Sequence, residues 1–170
     1  PKSIGSYAAL AAIAIQSNQN DQHGGQSIVD FDYAMGDGVL LTYKRYLAEA
    51  KVIQRELGAQ ADILWAEDYA MEHTRRDTYQ AMEGLIHNLN TMHSRAGAQT
   101  PFSSLNYGMD TSWEGRLAIE QLLLATEEGL GHGETPIFPI QIFRVKEGVN
   151  YNPGDPNYDL FKLAMRVSAK

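Results

Sequence analysis

"TPFSSLNYG", Thr100 to Gly108, is the stretch on which the fold turns. It opens Thr-Pro, continues with aromatic, hydroxyl and aliphatic side chains, and stops at a glycine, the pattern of a short strand running into a turn. "TPIFPIQIFRV", Thr135 to Val145, repeats the plan. Each follows a Gly-containing loop ("SRAGAQ", "GLGHGE") and leads through a second turn ("YGMDTSW", "NPGDPNYD") into a helical pattern. Strands separated by helices predict parallel pairing, because a parallel return needs a long crossover. Two strands are too few for a finished sheet, so further strands are expected outside the chain.

Helical periodicity fills most of the remainder. Ser3 to about Ser17 is small and apolar nearly all round, as a buried helix would be. Val39 to Leu57 ends at Gly58, a suitable left-handed stop. Ala61 to Ser94 is the longest candidate; its stripe of Met82, Leu85, Ile86, Leu89 and Met92 predicts a core face or a dimer seam. Ser112 is placed to cap a helix reaching Thr126, and Gly129 or Gly131 to stop one. Leu160, Phe161, Leu163, Ala164 and Val167 form a last helical face with no stop signal after it. That pattern, with an opening that lacks Met, reads as a piece of a longer chain.

Composition narrows the classes. The 170 residues fit one domain, and 44% hydrophobic content suffices for a sizeable core. Net charge is −7 and no Lys/Arg run exceeds a pair, which argues against a nucleic-acid binder. No run approaches the roughly 18 apolar residues of a membrane span. There are no cysteines, which removes disulfides, thiolate metal sites and thiol nucleophiles together. A cytoplasmic location is expected.

Two polar clusters could carry function. "QHGGQS" (Gln22–Ser27) places His23 and several amides beside Gly24 and Gly25, whose backbone N–H groups can approach a ligand closely. A Gly-Gly turn with a surface His23 would give the same letters. In "TPFSSLNYG", Ser103, Ser104 and Asn106 can present hydrogen-bonding groups on a strand, but the two serines must point to opposite faces. An ordinary strand with polar outward positions fits equally. "GLGHG" lacks the lysine and preceding strand of a phosphate loop. Glu83 and His87 read as a surface pair, Arg75, Arg76 and Asp77 as a solvated charged face, and Lys44 and Arg45 as featureless. No complete catalytic constellation is present.

Several segments together resemble the anaerobic (class III) ribonucleoside-triphosphate reductases: "PKSI" opening a helix that ends in "HGGQS", "NTMHSRAGAQTPFSSLNYGMDTSWEGR", "GHGETPIFPIQIF" and "NPGDPNYDLFKLA". The resemblance runs through residues 1–170 in order. It implies a helix-rich α/β segment, a single part of the ten-stranded α/β barrel of ribonucleotide reductases and other glycyl radical enzymes. It implies an oxidoreductase that removes the 2′-hydroxyl of a ribonucleoside triphosphate by glycyl and thiyl radical chemistry, commonly with formate as reductant. A zinc-binding C-terminal part, an iron–sulfur activase using S-adenosylmethionine, deoxynucleotide and ATP effectors, and a homodimer are implied as well. The radical cysteines would flank this segment, so no catalytic residue is expected within it and it should be inactive alone. His23, Gly24, Gly25, Gln26, Ser103 and Ser104 are expected to line the nucleotide site, and Lys44 to contact an effector phosphate. The alternatives are a non-catalytic nucleotide-binding module or another glycyl radical enzyme relative. Neither nucleic acid nor membrane is expected as a partner.

Overall fold

The computed structural model describes residues 1–58, 62–93, 99–131 and 133–170. Parts of the predicted "SRAGAQ" and "GLGHGE" loops, including His132, and both ends of the Ala61–Ser94 span fall outside the described residues. Among those described, the order is α1 (Ile4–Asp21), β1 (Gln26–Ile28), α2 (Phe31–Glu56), α3 (Ile63–Thr91), β2 (Ser103–Tyr107), α4 (Trp113–Glu128), β3 (Ile140–Phe143) and α5 (Tyr158–Ser168).

The three strands form a parallel sheet in the order β1-β2-β3. Ser27 pairs with Ser104, and Ser104 and Asn106 pair in turn with Ile140 and Ile142. The predicted strands are therefore present and parallel, each shorter than its sequence pattern. β1 is an addition. Three residues are too few for alternation to reveal, and α1 runs four residues past Ser17, leaving little polar sequence between helix and strand.

Helices cover one sheet face. Ser103, Leu105 and Tyr107 are fully buried against them, whereas Ser104 and Asn106 on the alternate face are half-buried. Phe31, Met35 and Val39 of α2, Met82, Leu85, Ile86 and Leu89 of α3, and Ile119 and Leu122 of α4 complete one continuous core. The Met82–Leu89 stripe is thus core, which overturns its reading as a dimer seam; Met92 alone of that stripe is exposed. α1 is buried on one side only. Ile4, Ala8, Ala12 and Ile15 face α2 and α3, while Leu10 and Ile13 stand exposed.

α2 begins eight residues before the predicted Val39, because Gly36 and Gly38 lie inside it. Both weaken a helix intrinsically, but Gly38 permits a close approach: a Cβ there would lie 2.9 Å from the Tyr7 ring of α1. The helix ends follow expectation. Ser112 Oγ accepts the N–H of Gly115, Asp62 accepts those of Leu64 and Trp65, and Gly58 and Gly129 adopt positive φ. Buried Thr42 accepts the unpaired N–H of Ile4 at the start of α1.

One carboxylate ties the strand ends together. Asp32, in the first turn of α2, is fully buried, and its Oδ2 accepts the N–H groups of Gly108 (2.9 Å), Met109 (3.0 Å) and Asp110 (3.0 Å). Removing it leaves three N–H groups with no acceptor, at roughly 1–3 kcal/mol each. Asp32→Ala should therefore lower the unfolding free energy by about 3 kcal/mol or more, as measured by urea denaturation.

α5 buries Leu160 and Ala164 in the core and is also joined to α4 by ion pairs. Glu127 accepts from Arg166 at 2.7 Å and pairs with Lys170 at 3.4 Å, and the Arg166 hydrogen bond leads the effects that hold its carboxyl below the usual range. A depressed folded-state pKa stabilises above the unfolded carboxylate pKa, and that contribution is lost as pH falls through the folded value. Acidification should lower the protection of the α5 amides once the intrinsic slowing of exchange at lower pH is corrected for, and Glu127→Gln should remove that part of the pH dependence.

Candidate functional site

The uncovered sheet face is the candidate site. Parallel sheets are ordinarily buried on both faces, yet here Ile140 and Ile142 remain 42% and 43% exposed. Beside them Ser27, Ser104 and Asn106 form a polar strip, with Ser27 Oγ donating to Asn106 Oδ1 at 3.5 Å. The face is therefore divided, hydroxyl and amide on one side and branched aliphatic on the other. Such a surface can hydrogen-bond one edge of a ligand and pack against another.

The predicted residues are distributed as follows. Gly24 and Gly25 precede β1 and line a cleft of about 350 Å³ with Gln19, Thr100 and Phe102. Gly25 is needed there: a Cβ would lie 2.9 Å from the Phe102 ring, and the next residue's N–H donates to Phe102 O at 2.8 Å. His23 is exposed on the same loop. Gln26 is buried in register with Ser103, and its side chain accepts from Asn18. Ser103 is buried beneath the sheet, and among the described residues its Oγ has no hydrogen-bond partner. Of the predicted strand residues Ser104 alone faces the open side; Gln26 and Ser103 point to the helix-covered face and so do not line it, while His23, Gly24 and Gly25 lie on the loop before β1. Lys44 is exposed on α2, a different element.

Sequence reasoning missed the groups at the other end of the strands. Besides Asp32, buried Asn150 donates to Gly108 O (2.9 Å) and Arg144 O (2.8 Å) and accepts from Lys146 N–H (2.9 Å). Buried Asn157 donates to Asp110 O at 2.8 Å and accepts from Arg116 at 2.8 Å. Arg144 Nη2 reaches Asp30 Oδ1 at 2.5 Å. The signal available was the density of Asn and Asp in "FDYAMGDG" and "NYNPGDPN", residues that in loops bond to nearby backbone. Beneath the sheet, burial and then the negative charge of Asp32 push the Tyr107 phenol above its usual range. That phenol stays protonated and donates to Gln141 at 2.5 Å.

Among the described residues there is no group of three or more His, Asp or Glu placed to hold a metal ion, and no helix long and apolar enough to cross a membrane. Glu83 and His87 do not belong to any such group. Arg75 pairs with Glu120 at 2.6 Å, and Asp77 receives Arg45 and Tyr46 at 3.0 and 2.7 Å.

Fold and site together define a parallel α/β scaffold with one helix-covered face and one open, partly polar face whose strand ends are cross-braced by buried side chains. A profile of the anaerobic ribonucleoside-triphosphate reductases matches residues 1–170, and the chain belongs to that family. It is 34% identical to the anaerobic ribonucleoside-triphosphate reductase of Escherichia coli (strain K12) over all of this chain and 23% of that protein. The corresponding figures are 33% and 23% for the Haemophilus influenzae enzyme, and 34% and 27% for that of Enterobacteria phage T4. The chain thus spans about a quarter of the length of these relatives.

Gly108 is the backbone pivot of the brace, with φ +119° and a hypothetical Cβ only 2.8 Å from Arg144 O. Gly24 has φ +102° and open space around it. Gly108→Ala should therefore cost more than about 2 kcal/mol, against about 1 kcal/mol for Gly24→Ala, in parallel thermal melts.

Proposed function

We propose that this chain is one segment of the catalytic barrel of an anaerobic ribonucleoside-triphosphate reductase, and that its open sheet face looks into that barrel. The observation that carries the reading is the coincidence of the family match over residues 1–170 with a parallel sheet left bare on one face. Parallel sheets require cover on both sides, and closing a ten-stranded barrel would place Ser27, Ser104 and Asn106 inside it.

The whole enzyme would convert ribonucleoside triphosphates to deoxyribonucleotides. With no cysteine in the chain, neither the thiyl cysteine nor thiolate zinc ligands can come from these residues. The glycyl radical supplies hydrogen abstraction through a cysteine when the radical is installed. The contribution of this segment would be positioning. Ser104 and the backbone N–H groups of Gly24 and Gly25 would bind polar edges of the nucleotide, His23 would flank them, and Gln26 and Ser103 would support the ribbon from beneath. Reductant, activase and nucleotide effectors follow from the family in the same way. Homodimer contacts would fall to the exposed Val52, Ile63, Leu64 and Trp65 of α2 and α3, since the Met82–Leu89 stripe is already buried. Lys44 would meet an effector phosphate.

In the intact enzyme assayed anaerobically, Ser104→Ala and His23→Ala should each raise KM for the ribonucleotide by about three- to tenfold, the loss of one hydrogen bond. Lys44→Ala should instead raise the effector concentration for half-activation and leave KM without effector unchanged. Unaltered KM and turnover in both Ser104→Ala and His23→Ala would remove the substrate-site assignment.

A further inference from the structure

Three successive N–H groups aimed at one point form a nest of the kind that binds anions. At the end of β2 the nest is occupied from within by Asp32 Oδ2, fully buried. Burying a carboxylate is costly unless hydrogen bonds compensate, and three N–H donors do so here. The connectivity gives this anchor a reach beyond its own turn. Asp32 follows β1 closely in sequence and grips the turn that ends β2. Asn150 links Gly108 O of that turn to Arg144 O at the end of β3, and Arg144 returns to Asp30 beyond β1. All three strand ends therefore meet at Gly108–Asp110. On the open face, by contrast, the cross-strand side-chain bond from Ser27 to Asn106 is long, at 3.5 Å. Asn106 lies two residues before Gly108, so the turn controls where its side chain points.

We propose that Asp32 is a positioning residue for the nucleotide face: by filling the nest it fixes the orientation in which β1 and β2 present Ser27, Ser104 and Asn106. This rests on the reading of the open face as the substrate side. Asp32 touches no open-face group itself and acts only through the turn. Its neighbour Tyr33 assists from outside, donating to Met109 O at 3.3 Å.

The test uses the intact reductase carrying Asp32→Asn, a near-isosteric change that removes the charge, compared with Ser104→Ala and Asn106→Ala. Two quantities are read on folded protein: amide hydrogen exchange across residues 26–28 and 103–110, and KM against kcat for the ribonucleotide. The expected result for Asp32→Asn is faster exchange at Gly108–Asp110 that extends to Ser104–Asn106. It is accompanied by a KM raised about tenfold, with kcat changed less than about twofold. Faster exchange confined to Gly108–Asp110 with unchanged KM, while Ser104→Ala still raises KM, would overturn the positioning role and leave the site reading intact. Unchanged KM in both Ser104→Ala and Asn106→Ala would overturn the site reading and this proposal with it. If Asp32→Asn does not fold, Tyr33→Phe keeps the nest and removes only the bond to Met109. KM should then rise about twofold, and an unchanged KM overturns the proposal.

Discussion

The structure depends on a single buried oxygen. Asp32 Oδ2 accepts three consecutive backbone N–H groups 76 to 78 residues away in sequence, and so joins the start of α2 to the end of β2. Without that acceptor the Gly108–Asp110 turn would bury donors that neither helix nor sheet can satisfy. Gly115 makes the same point sterically, because a Cβ there would collide with the Asp110 carboxylate. Asn150 and Asn157 then satisfy the carbonyls of the same turn, so donors and acceptors are matched on both sides of the backbone.

That arrangement separates two tasks spatially. One end of the strands is rigidly braced by buried side chains. The other begins at Gly24–Gly25, which is bare backbone, and Thr100–Phe102, whose Phe102 ring lines the same cleft. Between them lies a face that the helices leave bare. A scaffold braced at one end and open on one face is suited to holding a ligand in a set orientation, which is the contribution proposed for it in the reductase barrel. Chemistry requiring a thiol must come from elsewhere in such an enzyme.

The alternation of helices with Thr-Pro-led strands was legible in the sequence, and it predicted the parallel pairing. So was the opposition of Ser103 and Ser104, which follows from strand geometry alone. What escaped has physical causes. β1 is only three residues long, and the first eight residues of α2 contain two glycines, of which Gly38 has a tertiary use beside Tyr7. The Met82–Met92 stripe has the same periodicity whether it meets its own core or a second copy, and only the packing of α1, α2 and α4 decides for the core. The Asn and Asp density around Asp32 hints at a residue that bonds backbone, but not at which backbone, because its partners lie beyond α3 in the sequence. The resemblance carried by "TPFSSLNYGMDTSWEGR" indicated the family, which periodicity and composition could not.

The most direct measurement is an anaerobic structure of the intact reductase with a ribonucleoside triphosphate bound. The account predicts the nucleotide against the open face of this sheet, with Ser104 and the Gly24–Gly25 backbone within hydrogen-bonding distance. A nucleotide bound elsewhere, with Ser27, Ser104 and Asn106 covered by protein side chains, would contradict it.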